Sequence, residues 1–128
     1  MTEALLDGMP IIAFVATAQP DDARHFYRDA LGLRLTSEDP FALTFDANGT
    51  MLRVAIVDKL QPQPFTVLGW ITNDIASTAE TLATRGVAFT RYEWMEQDSQ
   101  GIWTSPSGAR VAWFKDPDGN TLSITQLT

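Results

Sequence analysis

The chain repeats one order of predicted elements, and no other feature of the sequence constrains its fold as strongly. The apolar, β-rich residues 10–16 predict a buried strand. A helix follows over residues 21–31, where apolar side chains recur at three- and four-residue spacing. After a proline-rich segment, the order restarts with a strand over residues 67–72 and a helix that Asp74 begins and Gly86 ends. The two halves of the chain are therefore expected to fold alike.

Short strands complete each half. They are predicted over residues 33–36, 41–46 and 51–57 in the first half, and over 87–92, 102–105, 110–115 and 121–127 in the second. A length of 128 residues suits a single domain. Within residues 1–128 we place module one at about 9–58, a stiff proline-containing linker at 59–65, and module two at about 66–127.

Two short motifs stand at defined places in this pattern. Residues 26–33 read Phe-Tyr-Arg-Asp-Ala-Leu-Gly-Leu at the end of the first helix, and residues 116–120 read Asp-Pro-Asp-Gly-Asn before the last strand. Together, over about residues 10–127, they resemble the vicinal oxygen chelate superfamily, also called the glyoxalase, bleomycin-resistance and extradiol dioxygenase superfamily. The resemblance implies an α+β fold in which two βαβββ modules form an open, curved mixed sheet. Helices would cover its convex face, and its concave face would form a pocket.

The resemblance also implies where a metal would bind, because the metal enzymes of this superfamily take ligands from both modules. Aliphatic side chains have no lone pairs to offer, arginine stays protonated, and a divalent ion needs three or four oxygen or nitrogen donors. We therefore expect no metal here, and no other cofactor, since the sequence has no P-loop and no dinucleotide-binding glycine motif. The implied ligand positions hold Ile11 or Ile12, Arg53, Val67 or Leu68, and Ser123.

Alternation along the strands indicates which side chains face the pocket. Hydroxyl groups share one face of residues 121–125, and Arg53 lies opposite the apolar face of residues 51–57. Aromatic rings give rigid walls for a flat ligand. Core packing would explain the tryptophans, and solvation would explain the arginine, so these alternatives stay open. The ligand-binding candidates are Arg53, Trp70, Trp103, Thr121, Ser123 and Thr125.

Other reactive or aromatic side chains receive plainer interpretations. Trp94 flanks the irregular residues 93–101 and is a candidate lid residue, whereas Trp113 is expected to be structural. His25, the only histidine, is expected on the helix surface, where it cannot serve a cleft as a general base. A solvated acidic loop is the expected role of Glu93, Glu96 and Asp98. No catalytic residue is assigned.

Composition excludes several classes of partner and chemistry. The chain has no cysteine, so disulfides, thiolate metal sites and cysteine nucleophiles are excluded, and a reducing cytoplasm is the expected location. Residues 1–8 carry no secretory signal, and no stretch approaches the roughly 20 apolar residues of a membrane span. A net charge of −7 argues against binding nucleic acid.

The sequence favours a metal-free small-molecule binding protein, similar to the drug-sequestering resistance members of the superfamily. The alternative is a glyoxalase-like lyase or isomerase acting on a small organic substrate, so whether the chain is an enzyme stays open. A third possibility is an accessory domain without a small ligand. The resemblance also implies a homodimer whose pairing completes the clefts. The identity and charge of the ligand are not decided by the sequence.

Overall fold

Each half of the chain builds a four-stranded sheet, as the repeated pattern predicts. A computed structural model describes residues 4–128; residues 1–3, part of the segment in which we expect no signal, lie outside the described residues. The first sheet contains β1 (Ile12–Thr17), β2 (Arg34–Glu38), β3 (Ala42–Ala47) and β4 (Thr50–Ile56). The second contains β5 (Thr66–Ile71), β6 (Trp103–Thr104), β7 (Arg110–Lys115) and β8 (Thr121–Gln126).

The two sheets share one topology. The strand order is β1-β4-β3-β2 in the first, which we call sheet A, and β5-β8-β7-β6 in the second, sheet B. The first strand of each half pairs in parallel with the last, and the remaining pairs are antiparallel. This confirms the α+β class and the two βαβββ modules. The ladders group the strands into two open four-stranded sheets.

The helix of the first half changes its winding before it ends. The α-helix α1 (Pro20–His25) continues into a π-helical turn over Phe26–Ala30, where the Leu31 amide donates to the Phe26 carbonyl at 2.9 Å. Gly32 then adopts a φ of 75°, the left-handed conformation that glycine tolerates best after a helix. Proline at the first helical position suits α1, because the ring presets φ and the missing N–H would have no helical partner.

The helix of the second half has the predicted cap. In α2 (Ile75–Thr84), the side chain of Asp74 accepts a hydrogen bond from the Ser77 amide at 3.1 Å. Gly86 follows with a φ of 92°. Within residues 4–128, no helix is both long and apolar enough to cross a bilayer.

One hydrophobic core joins both sheets and both helices. The ring of Tyr27 lies 5.8 Å from that of Phe45 in sheet A, and the adjacent Phe26 lies 6.3 Å from Phe114 in sheet B. Tyr27, Phe45 and Phe114 are fully buried. The first helix therefore packs against the same side of both sheets, which we call their helix face; the opposite side is their open face.

The least regular predicted segment differs from the structure. Residues 87–92 form no strand, and only Phe89 makes an isolated bridge, to Phe114. The reason is local: the Gln97 side-chain amide donates to the carbonyls of Thr90 and Gly101 at 3.0 and 2.9 Å and replaces a strand ladder with a loop. The predicted strand over residues 102–105 shrinks to the two residues of β6.

Candidate functional site

The Asp-Pro-Asp-Gly-Asn motif forms a buried junction between the two modules. Asp116 accepts hydrogen bonds from the Tyr27 hydroxyl at 2.7 Å and from the Asn120 side chain at 2.8 Å. The same Asn120 amide group donates to the Ala16 carbonyl at 2.9 Å, at the end of β1. Burial, together with the Asp116 carboxylate, raises the pKa of Tyr27 far above its usual value. Both motifs therefore stabilise the contact between the two modules.

A second carboxylate of the turn extends this junction. Asp118 accepts from the Thr17 hydroxyl and, at 2.8 Å, from the Ala18 amide. The side-chain amide of Gln19 donates a hydrogen bond to the Pro117 carbonyl at 3.1 Å. The start of the first helix is thus held against the turn that precedes β8.

The open face of sheet B carries most of the predicted ligand-binding residues. Ala112 and Phe114 of β7 are buried in the core, so the alternating Trp113 and Lys115 lie on the open face. Trp113 pairs with Ser123 of β8 in the antiparallel ladder, which places Ser123 on the same side. The residues of β8 that share this face are Thr121, Ser123 and Thr125.

Four aromatic rings border these hydroxyl groups. Trp103 and Trp113 lie 6.0 Å apart, Tyr92 and Trp113 lie 5.8 Å apart, and Tyr92 and Trp94 lie 5.5 Å apart, measured between ring centroids. We call Tyr92, Trp94, Trp103 and Trp113 the aromatic cluster. Its members come from β6, β7 and the loop between α2 and β6. Trp113 is oriented by its indole N–H, which donates to the Thr66 hydroxyl at 3.1 Å.

A small cavity lies between the aromatic cluster and the start of β5. Its volume of ≈ 180 Å³ lies below the range of about 300–1,000 Å³ that encloses a drug-sized molecule. Phe65, Trp94 and Trp113 form part of its apolar wall, and Thr121 lies at its edge. A ligand held here would be partly enclosed by aromatic surface and partly open to solvent.

Two contacts of the β8 hydroxyls set the charge and the space beside them. The Lys115 ammonium group donates a hydrogen bond to the Thr121 hydroxyl at 2.9 Å, so a cation lies beside the β8 hydroxyls. Gly69 of β5 pairs with Ser123, and a methyl group added at Gly69 would lie 2.6 Å from Ser123 Oγ. The glycine therefore leaves the space that the serine hydroxyl occupies.

The structure separates two of the predicted residues from the others. Arg53 lies in β4 of sheet A, paired with Phe14 and Thr44. Trp70 lies beside Gly69 but on the helix face of sheet B, where it packs against the core. Adjacent strand residues point to opposite faces, so Trp70 cannot share an open-face site with Ser123 within this chain. Trp103, Thr121, Ser123 and Thr125 are brought together on sheet B.

Sequence reasoning missed three side chains of this site. Trp113, expected to be structural, lies at the centre of the aromatic cluster, and Tyr92 and Lys115 were not among the candidates. Both faces of β7 carry apolar residues, and its two charged residues, Arg110 and Lys115, have opposite alternation. The sequence alone therefore does not indicate which face is open, and the pairing of Trp113 with Ser123 is what assigns residues 111, 113 and 115 to the open face.

The acidic loop is organised by its own polar side chains. Asp98 Oδ1 accepts from the amides of Gln100 and Ile102, each at 2.9 Å, so this carboxylate holds the loop together. Glu93 and Glu96 are exposed. His25 lies on the helix surface as predicted, 2.6 Å from the Asp29 carboxylate. The lid candidate Trp94 is 78% exposed.

The side chains present do not fit the metal that the superfamily's enzymes hold. The implied positions fall in the paired strands β1–β4 and β5–β8, where Ile12, Arg53 and Ser123 supply at most one hydroxyl donor. Among residues 4–128, no three histidine, aspartate or glutamate side chains converge as a metal site would require.

The fold and these motifs define a superfamily. A family model for the Glyoxalase/Bleomycin resistance protein/Dioxygenase superfamily matches residues 10–124, and the chain belongs to that superfamily. Among curated proteins, none matches the chain significantly.

Several solved structures share the fold over nearly their whole length. A superfamily member from Sphaerobacter thermophilus DSM 20745 is 27% identical, with a TM-score of 0.74, and the match covers 96% of this chain and 100% of that one. TnmS3, an antibiotic binding protein from Streptomyces sp. CB03234, is 24% identical, with a TM-score of 0.74 and coverage of 99% and 100%. Lactoylglutathione lyase from Agrobacterium tumefaciens is 18% identical, with a TM-score of 0.64 and coverage of 92% and 93%.

Proposed function

We propose that this protein is a metal-free small-molecule binding protein whose ligand lies on the open face of sheet B. The observation that carries the proposal is the aromatic cluster beside the hydroxyl groups of β8. Trp103 and Trp113 offer two large rings within 6.0 Å of each other, and Thr121 and Ser123 line the adjacent strand. Such surfaces bind flat ligands by apolar contact while a few polar groups fix their orientation.

The proposed ligand is a compact aromatic or conjugated molecule with an acidic or strongly accepting group. The rings would contact its plane. Lys115 would supply the positive charge, because its ammonium group already lies 2.9 Å from Thr121. Hydroxyls can orient such a ligand as either donors or acceptors. The overall charge of −7 would slow the approach of anions, and it includes Glu96 and Asp98, which line a surface cavity together with Trp103. Lys115 is the cation that would oppose this repulsion beside the β8 hydroxyls.

The likeness to TnmS3, an antibiotic binding protein, supports a binding role over a catalytic one. The alternative, a glyoxalase-like lyase or isomerase, is supported by the shared fold of lactoylglutathione lyase. Fold alone does not decide between them. The donor chemistry at Ile12, Arg53 and Ser123 favours binding without a metal. Elemental analysis of the purified protein separates the two, since near-stoichiometric metal after dialysis would overturn the metal-free proposal.

A homodimer is part of the proposal. Large apolar side chains are exposed on the open faces: Phe14 is 62% exposed in sheet A, and Ile71 is 72% exposed in sheet B. Exposed apolar patches of this kind mark contact surfaces. If the open face of sheet A in one copy covers that of sheet B in another, Arg53 reaches the ligand from the second subunit. That arrangement would reunite Arg53 with Trp103 and the hydroxyls of β8.

The remaining parts of the proposal concern location and other partners. A cytoplasmic location rests on the absence of cysteine, and the exclusion of nucleic acid rests on 16 acidic against 9 basic residues. We propose neither a membrane nor a nucleic acid as a partner.

The proposal is tested by titrating the protein with 1-naphthoic acid and with its neutral amide, 1-naphthamide, while following tryptophan fluorescence. We expect saturable quenching, with the acid binding more tightly. Trp103→Leu should weaken the binding of the acid by about 1 kcal/mol or more, the size of an aromatic pair contact. Trp70→Phe, on the opposite face, is the matched control and should leave the affinity for the acid unchanged. Equal affinity of wild type and Trp103→Leu would overturn the proposed site.

A further inference from the structure

A second cavity lies on the opposite side of sheet B from the aromatic cluster. It has a volume of ≈ 280 Å³ and lies where the end of the first helix meets α2 and the helix face of sheet B. Leu31 and Leu33 come from module one, and Leu82 and Phe114 come from module two. The core residues Phe114 and Leu82 are buried, so the cavity reaches into the interior.

Two of the polar groups that line this cavity already have hydrogen-bond partners within the protein. The hydroxyls of Thr72 and Thr78 lie 2.7 Å apart and are bonded to each other. The Thr78 hydroxyl also donates to the Asp74 carbonyl at 2.9 Å, and the Asp74 amide donates to the Thr72 hydroxyl at 3.2 Å. These two hydroxyls are therefore engaged within the protein.

Trp70 contributes the only ring N–H of the lining. The indole N–H can donate a hydrogen bond but cannot accept one. Trp70 is half-buried and packs against the core, so its ring forms a wall of the cavity. The cavity thus combines an apolar lining with one donor. Among residues 4–128, no charged side chain lines it.

We propose that this cavity is a second binding site, for a neutral and largely apolar molecule of one or two rings with one hydrogen-bond acceptor. Its volume lies just below the range of about 300–1,000 Å³ that suits drug-sized ligands, which limits the occupant to a small molecule. The absence of charge in the lining disfavours an ion, since a desolvated charge needs a partner. Trp70 is thereby a ligand-binding residue, but of this site and not of the open face.

The test uses the four tryptophan indole N–H signals in ¹H–¹⁵N spectra, with Trp70 assigned from the Trp70→Phe variant. The full-length protein at fixed concentration is titrated with 2-acetylnaphthalene, which is neutral, has two rings and carries one carbonyl acceptor. We expect a saturable shift of the Trp70 signal. Naphthalene, which lacks the acceptor, should bind about two- to tenfold more weakly, the effect of one neutral hydrogen bond.

Two variants fill the cavity from different sides. Leu33→Trp narrows it from module one and Thr78→Phe from α2; either one that keeps a folded spectrum should abolish the saturable shift. Trp103→Phe, on the open face, is the control and should leave the shift intact. The proposal is overturned if the Trp70 signal does not move, if the shift survives in a folded cavity-filling variant, or if a separate series at different protein concentrations without probe moves the signal in the same way. The last result would mean that a second copy covers the cavity. Each outcome is independent of the open-face site, which the Trp103 signal reports.

Discussion

The Tyr27 hydroxyl lies 2.7 Å from the Asp116 carboxylate, and this hydrogen bond joins residues 89 positions apart in the sequence. Tyr27 belongs to the first helix motif, and Asp116 opens the turn before β8. Both residues are buried, at 0% and 5% exposure. The two sequence motifs that indicate the superfamily therefore meet in space, and their contact holds module one against module two.

Replacing Tyr27 with phenylalanine should destabilise the protein by about 2 kcal/mol, because a buried carboxylate loses a hydrogen-bond donor. The free energy of unfolding, measured in urea, checks this. The matched control is Tyr92→Phe, which removes the hydroxyl of the only other tyrosine and should change stability by about 0.5 kcal/mol or less. Equal effects of the two substitutions would show that the junction contributes nothing specific.

The same tyrosine should make stability sensitive to alkaline pH. Burial and the nearby Asp116 raise the pKa of Tyr27 in the folded state, whereas in the unfolded chain tyrosine loses its proton near pH 10. Above about pH 10 the unfolded state therefore binds fewer protons than the folded state, so the stability contributed by Tyr27 is complete below that pH and is lost as the pH rises. Urea unfolding from pH 8 to 11 should show a steeper loss in wild type than in Tyr27→Phe. Parallel profiles would contradict the assignment.

We predict that stability requires glycine at position 69, because a larger side chain would collide with Ser123. In Gly69→Ala the new methyl group would lie 2.6 Å from Ser123 Oγ, and overpacking of this kind costs about 1–3 kcal/mol. The double variant Gly69→Ala/Ser123→Ala should recover part of that loss. A double-mutant cycle on the free energy of unfolding measures the coupling. Purely additive effects would show that the two residues do not compete for this space.

Lys115 should decide the preference for an acidic ligand. Lys115→Gln should reduce the affinity for 1-naphthoic acid by about tenfold or more, the effect of losing a charge-assisted hydrogen bond. The affinity for 1-naphthamide should change much less. Arg110→Gln removes a positive charge from the same strand but from a position of opposite alternation, and it serves as the control. If both substitutions weaken the acid equally, the effect is one of overall charge.

The exposed apolar surface should make the protein a dimer. Phe14→Glu places a charge on the open face of sheet A, in the edge strand β1, and should shift the protein to a monomer in sedimentation at micromolar concentration. Phe41→Glu, also at an exposed phenylalanine but outside the strands, is the comparison and should affect association less. A monomeric wild type would refute the homodimer.

The sequence predicts the order and type of most elements, because apolar runs mark the strands and three- and four-residue apolar spacing marks the helices. Asp74 and Gly86, which bound α2, are examples of local signals that tertiary structure leaves intact. The face of a strand is harder to assign when both sides are apolar. Trp70 and Trp113 are examples: Trp70 packs against the core on the helix face of sheet B, whereas Trp113 lies on its open face. The alternation around Gly69 and Lys115 resolves both only once the strand pairing is known.

The contacts of Arg53 illustrate a different limit. The sequence predicts that Arg53 lies in a strand and opposite the apolar face of that strand. Because the two sheets are separate, no local pattern shows which surface contacts the open face of sheet A. Local patterns in the sequence of one chain do not show where a second copy of that chain would bind. That is why the proposed ligand-binding role of Arg53 depends on the homodimer.

The inter-module junction also has a consequence for how the chain folds. Contacts between residues 89 to 104 positions apart, from Tyr27, Thr17 and Ala16 to the turn before β8, can form only after nearly the whole chain has been made. Contacts this distant in sequence slow folding, because a long loop must close before they contribute. A chain cut at the linker would leave Asp116 buried without its tyrosine. The two similar halves are thus expected to unfold in one cooperative transition. Either half on its own is expected to be less stable than the intact chain.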